Sequence, residues 1–191
     1  MNLNFANPTL IALAVAAVLL IVVAVALYMR RRRDNTAKLR SRYGPEYERA
    51  VLQTGSERKA EAKLADRETR VEKLHIRDLD QAERGRYLAR WQATQTRFVD
   101  YPKGAVTDAD ELVCSLMQTR GYPVSDFEQR AADISVDHPR VVENYRSAHS
   151  IALRLTSGEV STEDLRIAMV HYHSLFDDLL LSQTPGVKSA A

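Results

Sequence analysis

Few residue types in this chain could do chemistry, and their spacing restricts what they could do. There is a single cysteine, Cys114, which forbids an intrachain disulfide and fits a reducing compartment. On a helical wheel it lies about 100° from Val113, at the margin of an apolar stripe. It has no neighbouring base in sequence, so it reads as a packing thiol rather than a nucleophile. His171 and His173 stand two apart, a rotation of roughly 200° on a helix, so their rings face opposite sides and cannot share a metal ion. His173 and Asp177, at i and i+4, are spaced for a surface hydrogen bond. Asp133, Asp137, His138 and Glu143 gather around an apparent helix start, where acids are expected for capping and dipole reasons alone. The candidate ligand-site residues are Asp137, His138 and Tyr145, with His149. A deep polar pocket joining them from different helices would indicate a small-molecule binder or an enzyme; capped helix starts along a continuous bundle would not. No catalytic residue, metal ligand or cofactor is assigned.

The glycines, Gly44, Gly55, Gly85, Gly104, Gly121, Gly158 and Gly186, are too scattered to cradle a phosphate, which excludes nucleotide loops of the Walker and dinucleotide kinds. No serine sits in a nucleophile elbow. Trp91, Phe98, Tyr145, Tyr172 and Phe176 could line a pocket, but aromatic residues on helical stripes usually belong to a core.

Those helices have to be positioned by the rest of the chain, and hydropathy divides it in two. Residues 1–29 carry no charge, and Leu10 to Met29 consist of Leu, Ile, Val and Ala closed by Tyr28 and Met29. A helix of that length, at about 1.5 Å per residue, matches the roughly 30 Å hydrocarbon core of a bilayer. The expectation is one transmembrane helix over 10–29 with a short external tail, 1–9. Ala24-Val25-Ala26 superficially permits signal-peptide cleavage, but the basic residues follow the apolar run instead of preceding it. Arg30, Arg31, Arg32 and Arg33 mark the cytoplasmic flank under the positive-inside rule. The expected location is thus the bacterial plasma membrane, single-pass, with the C-terminal domain inside.

The juxtamembrane segment 30–42 is basic, with Lys38, Arg40 and Arg42 joining the four arginines against Asp34 alone. Topology and attraction to anionic headgroups account for it. Because no aromatic platform or base-reading motif accompanies it, nucleic acid is not an expected partner. The lipid bilayer and a protein are.

From residue 43 to 181 the punctuation predicts an all-α domain, followed by a flexible tail, 182–191. Gly44-Pro45 ends the first helix and opens a short one that stops at Gly55. Ser56 caps a long helix to about Ile76, whose stripe Ala60, Leu64, Arg67, Val71, Leu74 is too short for a coiled coil and suits packing on the domain. Asp66 and Arg70 are spaced for a solvated i,i+4 pair. Asp80 and Glu83 form a capping-box pattern before a helix that places Tyr87, Leu88, Trp91, Gln95, Phe98 and Val99 on one side. A helix from Pro102 to Arg120 presents Val106, Ala109, Leu112, Val113, Leu116 and Met117. Ser125 with Glu128 opens a short helix, and Asp137-His138-Pro139 opens the next, which carries Tyr145, Ala148 and Ile151 towards Gly158. Ser161 with Asp164 caps the last, whose stripe Leu165, Ala168, Met169, Tyr172, Leu175, Phe176, Leu179 and Leu180 has the clearest helical period.

Arg42-Tyr43-Gly44-Pro45-Glu46-Tyr47, the run from Arg86-Tyr87 through Trp91 and Gln95 to Phe98-Val99-Asp100, Arg120-Gly121-Tyr122-Pro123 and RAADISVDHPRVVENYR at 130–146 resemble a family of bacterial single-pass membrane proteins. The resemblance covers roughly residues 42–180. It implies bacterial origin and a membrane-tethered helical domain, and brings no activity, cofactor or site residue. The expected function is therefore a non-enzymatic adaptor at the inner face of the membrane, or alternatively a small-molecule binder or enzyme with a site near Asp137, His138 and Tyr145.

Overall fold

The structure is a computed structural model and describes residues 8–123, 125–155, 158 and 160–182, the side chains of residues 8–11 and 14 excepted. Among the described residues there are eight helices and no strand, as the punctuation predicts. The chain divides into two compact units, 1–42 and 43–191. Apart from Pro8, Thr9 and Ser182, the two predicted tails lie outside the described residues.

The first unit is built on α1, Pro8–Tyr43, a single 36-residue helix. The transmembrane part of the expected architecture is corrected here. Residues 10–29 do not form a helix of their own; α1 continues unbroken through the exposed Arg30, Arg31, Arg32 and Arg33. Among the described residues no helix is long and apolar enough to cross a membrane.

The second unit contains α2 (Pro45–Thr54), α3 (Glu57–Val71), α4 (Gln81–Asp100), α5 (Pro102–Arg120), α6 (Phe127–Asp137), α7 (Val142–Arg154) and α8 (Thr162–Leu181). Helix α5 lies between α4 and α8, and α8 packs on α7. Every residue of the predicted α8 stripe is buried, and so are Val106, Ala109, Leu112, Val113, Leu116 and Met117 of α5. Together with Leu79, Tyr87, Trp91, Tyr122, Ile134, Tyr145 and Ile151 they form one core. The α2–α3 hairpin packs on α6 and α7, and its own buried residues Tyr47, Ala50, Ala60, Leu64 and Val71 lie outside that core.

Caps set the helix boundaries. Ser56 accepts from the Lys59 amide, and full capping boxes form at Asp80 with Glu83 and at Ser161 with Asp164. Gly121 closes α5 at φ 100°, with the amides of Gly121 and Tyr122 returned to Gln118 and Met117. A side chain here would place its Cβ 2.3 Å from the His75 carbonyl oxygen, so glycine is required twice over.

Several boundaries differ from the sequence reading. Helix α3 ends at Val71 rather than Ile76. The cap of α6 is Asp126, which accepts from Gln129, one residue past the expected Ser125. Asp137 closes α6 instead of opening α7, and Pro139 sits in the intervening turn. On α4 only Tyr87, Trp91 and Thr94 are buried; Leu88 and Val99 face outward.

Candidate functional site

The structure places the four sequence candidates at two locations. Asp137 and His138 end α6. There the Tyr122 hydroxyl donates to Asp137 at 2.7 Å, and His138, 4% exposed, pairs through Nδ1 with Asp178 of α8 at 2.5 Å. The His138 hydrogen bond holds the Asp178 carboxyl below the usual carboxylate range. Burial pushes the Tyr122 hydroxyl far up, and Asp137 beside it adds to the effect. Both candidate side chains are thus engaged in ties between elements. Asp133 and Glu143 do not join them: Asp133 bonds Arg70 of α3 and Gln129, and Glu143 lies 3.8 Å from Arg49. Arg70 therefore reaches α6 instead of pairing with Asp66.

Tyr145 and His149 do come together, one turn apart on α7. Tyr145 is fully buried; its hydroxyl accepts from Arg130 Nε at 3.3 Å and lies 3.9 Å from Cys114 Sγ. His149 stacks on Phe127 with ring centroids 3.6 Å apart, and Phe127 also packs at 4.9 Å on Tyr145. Burial lowers the His149 pKa and raises that of Cys114. The outer side of the stack faces a hollow of about 500 Å³ that also includes Arg49, Arg146 and Leu153. Cys114 is half-buried, as its place at the edge of the α5 stripe predicts. Among the described residues no group of three His, Cys, Asp or Glu side chains is placed to hold a metal ion.

Two features escaped the sequence reading. Glu46, fully buried at the start of α2, accepts from Arg67 of α3 at 2.8 Å and from Arg146 of α7 at 3.1 and 3.2 Å. Arg67 also donates to Ser135 of α6, and Arg146 to Glu128. This tie fastens the α2–α3 hairpin to the remainder of its unit. Its only sequence signal is an arginine inside the α3 stripe, since Glu46 and Arg146 lie 100 positions apart.

The second is a groove of about 230 Å³ between α4 and α8, lined by Trp91, Gln95, Phe98, Arg166, Met169, Val170 and His173. Trp91 forms its base, stacked against His173 and Phe176 with both centroid distances 4.9 Å. Its indole Nε1 is buried without a hydrogen-bond partner. Phe98 is half-buried, while Val170 and Val99 are exposed at 54% and 81%. These are residues of the predicted α4 stripe and the margin of α8 that the core leaves uncovered. His173 also lies 3.4 Å from Asp177, the spacing expected from sequence.

Comparison with family models, with curated proteins and with solved structures finds no match. The resemblance to a bacterial family therefore rests on the quoted residues alone.

Proposed function

We propose that the helical unit is a non-enzymatic interaction module that receives an amphipathic helix from a protein partner in the α4–α8 groove. The observation that carries this reading is the groove between α4 and α8 where Val170 is exposed and Phe98 half-buried above the buried Trp91 and Met169. Grooves between helices bind partner helices by burying apolar residues at i, i+3, i+4 and i+7. A few aromatic residues supply most of the binding energy at such surfaces, and Phe98 is the partly exposed aromatic of this groove. Arg166 in the groove lining favours a partner whose apolar stripe is flanked by acids. Asp137 and His138 lie apart from Tyr145 and His149, which favours the interaction reading over a site shared by the four.

The test is in-cell photocrosslinking from Gln95, which lines the groove, with Leu52 on α2 as the control position. A protein captured through Gln95 and not Leu52, lost on Val170→Asp, with the attached peptide showing an apolar helical stripe flanked by acids, supports the proposal. Equal capture from both positions, or none across several growth conditions, overturns it.

A further inference from the structure

The hollow beside the Phe127–His149 stack shares no lining residue with the α4–α8 groove. Arg49 reaches it from α2, Phe127 and Glu128 from the first turn of α6, and Arg146, His149 and Leu153 from α7. Its volume of about 500 Å³ is more than twice that of the groove and lies within the roughly 300–1,000 Å³ usual for small-molecule sites. One wall is flat and apolar. The Phe127 and His149 rings lie parallel, 3.6 Å apart with 8° between their planes, and the exposed Leu153 extends the apolar surface. Burial lowers the His149 pKa from its ordinary value, so the imidazole in this wall is uncharged near neutral pH.

The charges of the lining are unequally committed. Arg146 is buried, and its guanidinium donates to Glu46 and to Glu128. Asp126, at the edge of the hollow, accepts from the Gln129 amide as the cap of α6. Arg49 differs from both. Among the described residues its guanidinium donates no hydrogen bond, and the carboxylates beside it, Glu46 and Glu143, stand at 3.8 Å. Glu46 is already held by Arg67 and Arg146 at hydrogen-bond distance. Arg49 is therefore the lining cation with donors to give, and it stands at the end of an apolar wall.

We infer that this hollow binds a small planar aromatic carboxylate, its ring laid along the Phe127–His149 wall and its carboxylate held by Arg49. A ring stacked on other rings gains more than the area it buries. A guanidinium presents a planar fork that matches a carboxylate in two parallel, charge-assisted hydrogen bonds. The two features act together: an uncharged ring forfeits the hydrogen bonds, and a flexible aliphatic acid forfeits the stacking and loses rotamer freedom on binding. An aromatic cation is selected against, because Glu128 and Asp126 already have partners while Arg49 repels it.

The probe is para-benzoylbenzoate, an aromatic carboxylate that inserts into nearby C–H bonds on irradiation. The full chain is to be labelled with it and the modified peptides mapped by mass spectrometry. Label should concentrate on the segments that carry Arg49, Phe127 and Leu153. Naphthoate at ten times its Kd leaves about one-eleventh of the sites free and should reduce the label by that factor. Naphthalenemethanol, with the ring and no charge, and hexanoate, with the charge and no ring, should compete little at the same concentration. Arg49→Gln should cut labelling of these segments about tenfold, and Arg49→Lys should cut it less. Absence of label from those segments, label centred instead on Trp91 and Val170, or equal competition by all three compounds would each overturn the inference on the wild-type chain, whatever becomes of the variants.

Discussion

Glu83 shows how one side chain can link local and longer-range order. It completes the α4 capping box through the Asp80 amide and receives two hydrogen bonds from Arg77 at 2.7 and 2.8 Å. The Arg77 hydrogen bonds, followed by the Asp80 amide, lower its carboxyl pKa to about 2. An unfolded glutamate titrates near 4.3, so the unfolded chain binds the proton first as pH falls. The stabilisation is complete above about pH 5 and is lost towards pH 2. Glu83→Gln keeps an acceptor for the Asp80 amide but removes this titration. Its unfolding free energy, measured by urea denaturation from pH 5 to 2.5, should fall less steeply than that of the wild type. The capping-box spacing was readable in sequence because both groups lie within one turn. The roles of Asp137 and His138 were not, because a shift of the helix boundary turned an expected N-terminus into a C-terminus. The partners Tyr122 and Asp178 are set by the fold rather than by spacing.

Among the elements, the α2–α3 hairpin is held differently from the rest. Helices α5 and α8 share a continuous apolar core, whereas the hairpin adds to its own small apolar cluster a buried ion-pair tie through Glu46. Removing one member of such a tie leaves buried charge uncompensated and typically costs 3–5 kcal/mol. Glu46→Gln should therefore lower the urea unfolding free energy by about 3–5 kcal/mol. Hydrogen exchange should show α2 and α3 amides accelerated more than those of α5 and α8, because the apolar core does not include the hairpin. Exchange rising equally in all helices would contradict this division. The sequence made α8 legible almost residue by residue, since its stripe is set by helical period and burial alone. Helix α4 was only half legible: periodicity identifies which residues share a face, but not how much of that face a neighbour covers. Leu88 and Val99 lie on the part left open.

Across the whole molecule, the division at residue 42 separates a single long helix from a unit that contains every residue of the apolar core. Residues 43–191 expressed alone should therefore unfold in one cooperative transition, with far-UV and near-UV circular dichroism following the same curve. Non-coincident curves would show that the core is not autonomous. The all-α class followed from helix punctuation throughout this unit. The expected span over the N-terminal run was not borne out: among the described residues no helix is long and apolar enough to cross a membrane, and α1 runs on from apolar residues through Arg30–Arg33 to Tyr43. The groove carries an optical consequence of its own. Trp91 is the chain's sole tryptophan, shielded from water and sandwiched by an imidazole and a phenyl ring. Its emission spectrum and quenching thus report on a single defined spot, giving a label-free signal of whatever settles there.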